Sequence, residues 1–311
     1  MADVSRQSAT QPQLKVLLLG ANGQLGQSVL ALQSAFPHLL ITALSRAQLD
    51  MCNSTALAEH LAQHHYQYII NCAAYTAVDK AEAEPELAMA INHHALAQLA
   101  GLCQQYHIGL VHISSDYVFN GQQASPYTEQ QPSQPLNIYG QSKAAGEQAL
   151  LKQFAEPSGQ GAAIILRSSW LYSECGNNFV KTMLRLSASH NQVRVVADQI
   201  GSPTYAADLA LAILQLLSRN DFMQRFNSAK VYHYCNQGLA SWYDLAQAVF
   251  DISGSPCQVQ AISSAEYPTA ARRPAFSVLS TQAIRQDLAL SIPHWRHSLA
   301  RCLQHLKGHH E

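Results

Sequence analysis

Leu14-Lys15-Val16-Leu17-Leu18-Leu19 runs directly into Gly20-Ala21-Asn22-Gly23-Gln24-Leu25-Gly26, and an amphipathic stretch through Leu30 and Leu32 follows. A short apolar run bounded by glycine reads as a buried parallel strand. Glycines spaced three and three let the backbone turn sharply and come close to a diphosphate. The start of the next helix then offers unpaired N–H groups and its positive dipole end to the anion. A plain tight turn is the bland alternative. The motif lies between a strand and a helix, as a dinucleotide site requires, and this assigns Gly20, Gly23, Gln24, Leu25 and Gly26 to a cofactor.

Downstream, apolar runs at 39–44, 66–70, 108–113 and 162–166 alternate with helical patterns, among them 55–64 and one long segment from about residue 86 to 106. Such alternation predicts βαβ units and a Rossmann-type, doubly wound parallel sheet of the α/β class. Ligands of these sheets bind in the crevice at the carboxyl ends of the strands. Asn71-Cys-Ala-Ala-Tyr-Thr76 and Ser114-Ser115-Asp116 fall there, which brings Ala74, Tyr75 and Thr76 to the cofactor as well. Beyond about residue 170 the pattern loosens. Residues 177–184 look helical and 193–197 strand-like, and Ser241 gives an N-cap signal before Trp242-Tyr243. The expected organisation is a flexible tail at 1–13, a dinucleotide-binding domain at 14–170 and a mainly substrate-binding lobe at 171–311, with some chain returning to the first domain.

The second apolar run ends at Ser45-Arg46, where an NAD-selective fold normally places an acid to hold the adenine ribose. An arginine there suits a 2′-phosphate, so NADPH is the expected cofactor, with NADH left open. Arg46 also reads as an exposed loop side chain, and Asp50 a little further on can be mistaken for the NAD acid.

The chain has 311 residues and a net charge of −1, long enough to bury a core and without a basic field to attract nucleic acid or an anionic membrane surface. Its seven cysteines are scattered, with no C-x-x-C pair, and read as reduced thiols, mostly buried. No apolar run approaches the length of a membrane span, and the N-terminus lacks the apolar core of a signal peptide. A cytoplasmic location is expected. Fifteen histidines, including the pairs His64-His65, His93-His94 and His309-His310, suggest a metal. Adjacent residues on a helix face different ways, however, and no metal-ligand motif is present, so no metal is expected.

Tyr139-Gly-Gln-Ser-Lys143 follows His112-Ile-Ser-Ser115-Asp116. A tyrosine and a lysine four apart share one helix face, so an ammonium below the phenol is expected to favour its ionised form and make it an acid usable near neutral pH. By itself the pair is weak, since an amphipathic side chain beside a solvated charge has the same spacing. Combined with the glycine turn, it completes a hydride-transfer site.

With these residues in view, the chain resembles the extended short-chain dehydrogenase/reductases, and within them the branch acting on dTDP-4-dehydrorhamnose. The likeness runs from about Leu14 to Leu306. It rests on Asn71-Cys-Ala-Ala-Tyr-Thr-Ala-Val-Asp-Lys-Ala-Glu82, Ser114-Ser-Asp-Tyr-Val-Phe119, Pro135-Leu-Asn-Ile-Tyr-Gly-Gln-Ser-Lys143 and Arg167-Ser-Ser-Trp170. Gly176-Asn-Asn-Phe-Val-Lys181, Asp198-Gln-Ile-Gly-Ser-Pro-Thr204 and Tyr267-Pro-Thr-Ala-Ala-Arg-Arg-Pro274 extend it. The resemblance implies a catalytic triad of Ser115, Tyr139 and Lys143, with Ser115 where many relatives have Thr. It also implies that Thr76, Asp116 and Trp170 lie near the deoxysugar.

The implied reaction is NADPH-dependent reduction of the C4 keto group of dTDP-4-dehydro-L-rhamnose to dTDP-L-rhamnose, a precursor of cell-surface polysaccharide. Lys181 and Arg272 are the cations expected at the diphosphate of the dTDP-sugar. A metal-bridged dimer, known for some members, rests on acidic residues that this chain lacks, Ser28 and Ala207 standing in their places; a homodimer is left open. Two alternatives remain. One is a reductase of another nucleotide-linked keto-sugar. The other is an NADP-binding regulatory subunit of methionine adenosyltransferase, against which Arg167-Ser-Ser-Trp170 and Trp242-Tyr243 speak for the reductase.

Overall fold

In β1 (Leu14–Leu19) every side chain from Val16 onward is buried. Val16 and Leu18 enter one apolar cluster, while Leu17 and Leu19 enter another on the opposite face. A strand covered on both faces is the centre of a doubly wound sheet. The computed structural model describes residues 12–155 and 161–308. Residues 1–11 of the expected tail and the histidines at 309 and 310 lie outside the described residues.

From β1 the chain passes through α1 (Gln24–Ala31), β2 (Leu39–Leu44), α2 (Ser54–Gln63) and β3 (Tyr68–Asn71). The short α3 (Val78–Ala81) and α4 (Pro85–Met89) lead to α5 (Ala95–Gln105), β4 (Gly109–Ser115), α6 (Ile138–Gln153) and β5 (Ala162–Ser168). Strands β2, β1, β3, β4 and β5 pair in that order, all parallel. The one long helix expected over 86–106 is instead α4, a π-helical turn at Ala90–His94, and α5. The widened turn carries buried Asn92, whose Oδ1 accepts the Tyr75 amide at 2.9 Å while Nδ2 donates to the Tyr75 carbonyl at 3.1 Å and to Ser142 Oγ at 2.9 Å. Helical periodicity alone does not register such a turn, which is set by the tertiary partner that Asn92 satisfies.

The remaining chain forms β6 (Leu171–Tyr172), α7 (Phe179–Ser187), β7 (Gln192–Val196), β8 (Ile200–Gly201), β9 (Thr204–Tyr205), α8 (Ala206–Leu217) and α9 (Phe222–Arg225). It continues through β10 (Lys230–His233), β11 (Ala240–Ser241), α10 (Trp242–Ser253), β12 (Gln258–Ile262), α11 (Gln282–Leu288) and α12 (Trp295–Gly308). Ser241 caps α10 in a capping box with Asp244. Strand β10 pairs in parallel with β5 and becomes the sixth strand of the sheet, and Leu209, Ile213 and Leu217 of α8 pack in the same cluster as Val16 and Leu18. A separate cluster joins α7, β7, α10 and α12. The seven cysteines are free, four of them buried. Among the described residues no helix is long and apolar enough to cross a membrane.

One buried ion pair fastens α6 to the sheet. Arg167 on β5 donates through Nε and Nη2 to both carboxylate oxygens of Glu147 at 2.6 to 3.1 Å, with side-chain exposures of 5% and 2%. Ser114 on β4 donates to the same carboxylate, and the guanidinium lies 5.0 Å from the centre of the Phe119 ring. Removing one partner strands the other in a low dielectric. Arg167→Met should therefore cost about 3–5 kcal/mol of folding stability, measured by urea unfolding. A loss below about 1 kcal/mol would show that the pair behaves as a surface bridge.

Candidate active site

Two clefts bear on the site, the first at the carboxyl ends of the strands. The first, about 310 Å³, is lined by Gly20, Asn22, Gly23, Ser45, Arg46, Asp50, Ala73, Ala74 and others. Gly20 has φ +77°, and a Cβ there would lie 2.6 Å from the Ala73 amide nitrogen, so only glycine makes this turn. Gly23 begins α1 without a side-chain cap, which leaves the helix N–H groups for an anion. Arg46 stands at the rim, 68% exposed, with Nε 3.0 Å from Asp50 Oδ2. Burial raises the Asp50 pKa, but the Cys52 amide and Arg46 outweigh it and hold the carboxyl below its ordinary value.

Not every residue assigned to the cofactor turns its side chain to this cleft. Leu25 is buried in the core. Gln24 Oε1 accepts from Ser173 Oγ at 3.1 Å and Asn178 Nδ2 at 2.9 Å, tying the first turn of α1 to the 173–178 loop. Tyr75 donates through its phenol to Glu84 at 2.6 Å, and Thr76 is exposed.

Ser115 ends β4 and accepts the Tyr117 amide at 3.2 Å. Asn137 caps α6 by accepting the Gly140 amide at 2.8 Å, which sets Tyr139 in the first turn. A Cβ on Gly140 would lie 2.2 Å from the Tyr117 carbonyl oxygen, so the helix start presses against the end of β4. The Ser115 hydroxyl lies near the Tyr139 phenol and favours its ionised form, while Ser115 Oγ itself donates to Asp116 Oδ1. The expected lowering of the phenol by Lys143 is not what the structure shows. Burial pushes Tyr139 up to about 12, with Asp116 adding to the rise and Ser115 opposing it. Lys143 is itself buried and donates to the Ile113 carbonyl at 2.7 Å, and burial brings its pKa down to about 8.

The second cleft, about 810 Å³, is lined by Phe179, Met183, Val195, Trp242, Tyr267 and Arg273 among others. Trp170 follows β5 with φ +47° and stacks on Trp242 at 3.6 Å between centroids, nearly coplanar at 5°. Holding a non-glycine residue in this region costs about 1–3 kcal/mol, a strain typical of functional sites. Arg273 borders the cleft, as does Arg194, and pairs with Asp79 at 2.7 Å. Arg272 is exposed, and its carbonyl accepts from Asn137 Nδ2 at 2.7 Å. Lys181 sits on α7 and donates to the Glu174 carbonyl at 2.9 Å. In an extended loop neighbouring side chains point apart, and the sequence does not say which arginine faces inward.

Fold and site together define a member of the extended short-chain dehydrogenase/reductase class. Residues 14–307 match the family model described as the RmlD substrate-binding domain, and the chain belongs to that family. It is 38% identical over 288 residues to a dTDP-4-dehydrorhamnose reductase of Sinorhizobium fredii, covering 91% of this chain and 95% of the relative. It is 36% identical to the enzyme of that name from Escherichia coli, covering 94% and 98%. The Bacillus anthracis dTDP-4-dehydrorhamnose reductase, solved in complex with NADP, superposes with a TM-score of 0.85 at 36% identity, covering 94% of this chain and 99% of that one.

Asp116 is the most perturbed carboxylate of the site. It accepts from Ser115 Oγ at 3.0 Å. Burial pushes its pKa up to about 6, and hydrogen bonds from Ser277 and Ser115 only partly oppose this. The folded protein thus keeps this proton up to about pH 6, whereas the unfolded chain releases it near the ordinary value of 3.8. Folding binds a proton inside that window, so stability falls as the pH rises through it and stays lower above it. Asp116→Asn removes the penalty. Between about pH 4 and pH 7.5 the variant should gain on the native chain by on the order of 2–3 kcal/mol in urea unfolding; a difference independent of pH would sink the idea.

Proposed function

We propose that the protein reduces the C4 keto group of dTDP-4-dehydro-L-rhamnose to dTDP-L-rhamnose with NADPH. The observation that carries this reading is the Ser115–Tyr139 pair, a hydroxyl at the end of β4 and a buried phenol in the first turn of α6 that it influences, in a fold that also carries a phosphate-fitting glycine cradle. The names of the relatives and the NADP complex of one of them support it.

The cradle fits the cofactor, because the positive φ of Gly20 and the absence of room for a Cβ bring bare backbone to where a diphosphate lies. Bound NADPH supplies the hydride. Tyr139 gives its phenolic proton to the developing alkoxide, and Ser115 donates a hydrogen bond to the same oxygen. Lys143, one helical turn below, keeps a cationic donor in the site, and Arg46 reads the 2′-phosphate at the rim. Trp170 and Trp242 offer an apolar face to the deoxysugar and base, and Arg273 answers the diphosphate charge. Residues 14–170 with the returning β10 and α8 hold the cofactor, and the elements joined by the third cluster hold the sugar nucleotide.

The decisive assay follows NADPH oxidation with dTDP-4-dehydro-L-rhamnose against keto-sugars on other nucleotides. Tyr139→Phe keeps the ring and removes the proton, so kcat should fall on the order of 10²-fold or more with NADPH affinity kept. Near-normal turnover in that variant eliminates Tyr139 as the acid. Arg46→Ala should weaken NADPH about tenfold or more, about 1.4 kcal/mol, and leave NADH nearly unchanged. Equal losses for the two cofactors would show that Arg46 does not read the phosphate.

A further inference from the structure

One short segment of the larger cleft meets both stacked tryptophans. Strand β8 pairs antiparallel with β11, with Ile200 opposite Ser241, so Gln199 falls across from Trp242, the first residue of α10. Both residues line the cleft. Trp242 Nε1 donates to Gln199 Oε1 at 3.2 Å, Gln199 Nε2 donates to Ser264 Oγ at 2.9 Å, and Ser264 Oγ donates to Asp198 Oδ1 at 2.6 Å. Asp198 and Ser264 come together because each follows one of two paired strands, β7 and β12. The direction of this chain is fixed from both ends, since an indole N–H only donates and a carboxylate only accepts. Burial raises the Asp198 pKa, but hydrogen bonds from Ser264 outweigh it and hold the carboxyl below its ordinary value. Turning the Gln199 amide over would set two donors against each other. Two residues further on, a Cβ on Gly201 would lie 2.5 Å from Trp170 Cε2, so bare backbone backs the second indole.

We propose that Gln199, backed by Ser264 and Asp198, is a positioning residue that holds Trp242 flat against Trp170 and so sets the aromatic wall of the cleft that takes the sugar nucleotide. The two rings lie 5° from coplanar with centroids 3.6 Å apart. Ring quadrupoles disfavour such a face-to-face sandwich and prefer offset or edge-on arrangements, so stacking by itself would let Trp242 slide or tilt. A hydrogen bond at the indole nitrogen is directional and pins one edge of that ring, while the Gly201 backbone stops Trp170 from moving away behind it. Phe179, tilted against Trp242 at 4.8 Å between centroids, packs against the ring without fixing its rotation. The ligand's identity rests on the function proposed above, whereas the hold on Trp242 rests on hydrogen bonds and ring geometry alone.

Two stacked indoles couple their electronic transitions and give a signed couplet in the far-ultraviolet circular dichroism, which Trp242→Phe removes and thereby assigns. Gln199→Leu keeps most of the volume and removes both hydrogen bonds. Ser264→Ala leaves Gln199 in place and breaks the chain one bond further on. Both variants should lose the couplet. Gln199→Leu should also raise KM for dTDP-4-dehydro-L-rhamnose about tenfold, about 1.4 kcal/mol, without a matching loss of kcat or of NADPH affinity. Asp198→Asn, whose side-chain oxygen still accepts from Ser264, should keep the couplet that Asp198→Ala loses. A purely structural role would lower the thermal midpoint and leave couplet and KM in place, so a native couplet in folded Gln199→Leu and Ser264→Ala overturns the proposal. A lost couplet with an unchanged KM in Gln199→Leu overturns it too. Native protein that does not reduce dTDP-4-dehydro-L-rhamnose would instead fail the functional reading, and the circular dichroism of the same variants would still decide whether Gln199 holds Trp242.

Discussion

The site depends on how closely the start of α6 approaches the end of β4. Gly140 lies so near the Tyr117 carbonyl that no side chain fits between them, and the Asn137 cap fixes where the helix begins. Two turns further along, the Glu147–Arg167 pair with Ser114 clamps the same helix to β4 and β5. A helix held at both points has no freedom to slide along the strand. Ser115 at the strand end and Tyr139 in the first helical turn are therefore brought together although 24 residues separate them in the chain.

The same packing that sets distances sets charges. Asp116 is pushed up to about 6, Tyr139 up to about 12 and Lys143 down to about 8, each with burial as the leading cause. All three shifts favour the neutral form, so carrying charge on Asp116 or Lys143 has an electrostatic cost in this site. In a low dielectric a hydroxyl pair aimed at a developing oxyanion is worth far more than in water. The cost appears as lost folding stability, which the two apolar clusters on either side of the sheet offset.

Much of this was legible in the sequence because it is written locally. The apolar run and glycine turn of β1 and α1, the strand end at Ser115 and the helix carrying Tyr139 and Lys143 each have a short-range signature. What escaped is decided by tertiary partners. The π turn at Ala90–His94 exists to seat Asn92 against Tyr75 and Ser142. The sixth strand, β10, is four residues long and is recruited by the free edge of β5. Arg273 rather than Arg272 borders the larger cleft because Asp79, some 190 residues away in the chain, captures its guanidinium.

Of the polar ties that cross between the first 170 residues and the later chain, those made by Gln24, Asn137 and Asp79 lie nearest the site. Gln24 binds Ser173 and Asn178 beside the glycine turn, Asn137 binds the Arg272 carbonyl two residues before Tyr139, and Asp79 binds Arg273 after the strand end at Asn71. Apolar burial is non-directional and tolerates sliding, whereas a hydrogen bond fails within a few tenths of an ångström or a modest tilt. Ties of the second kind, placed at the margins of both clefts, register the larger cleft against Ser115 and Tyr139. A ligand that reaches from that cleft to the two hydroxyls is thereby aligned by bonds of set length, which is what a reaction requiring close alignment of a carbonyl with its proton donor demands.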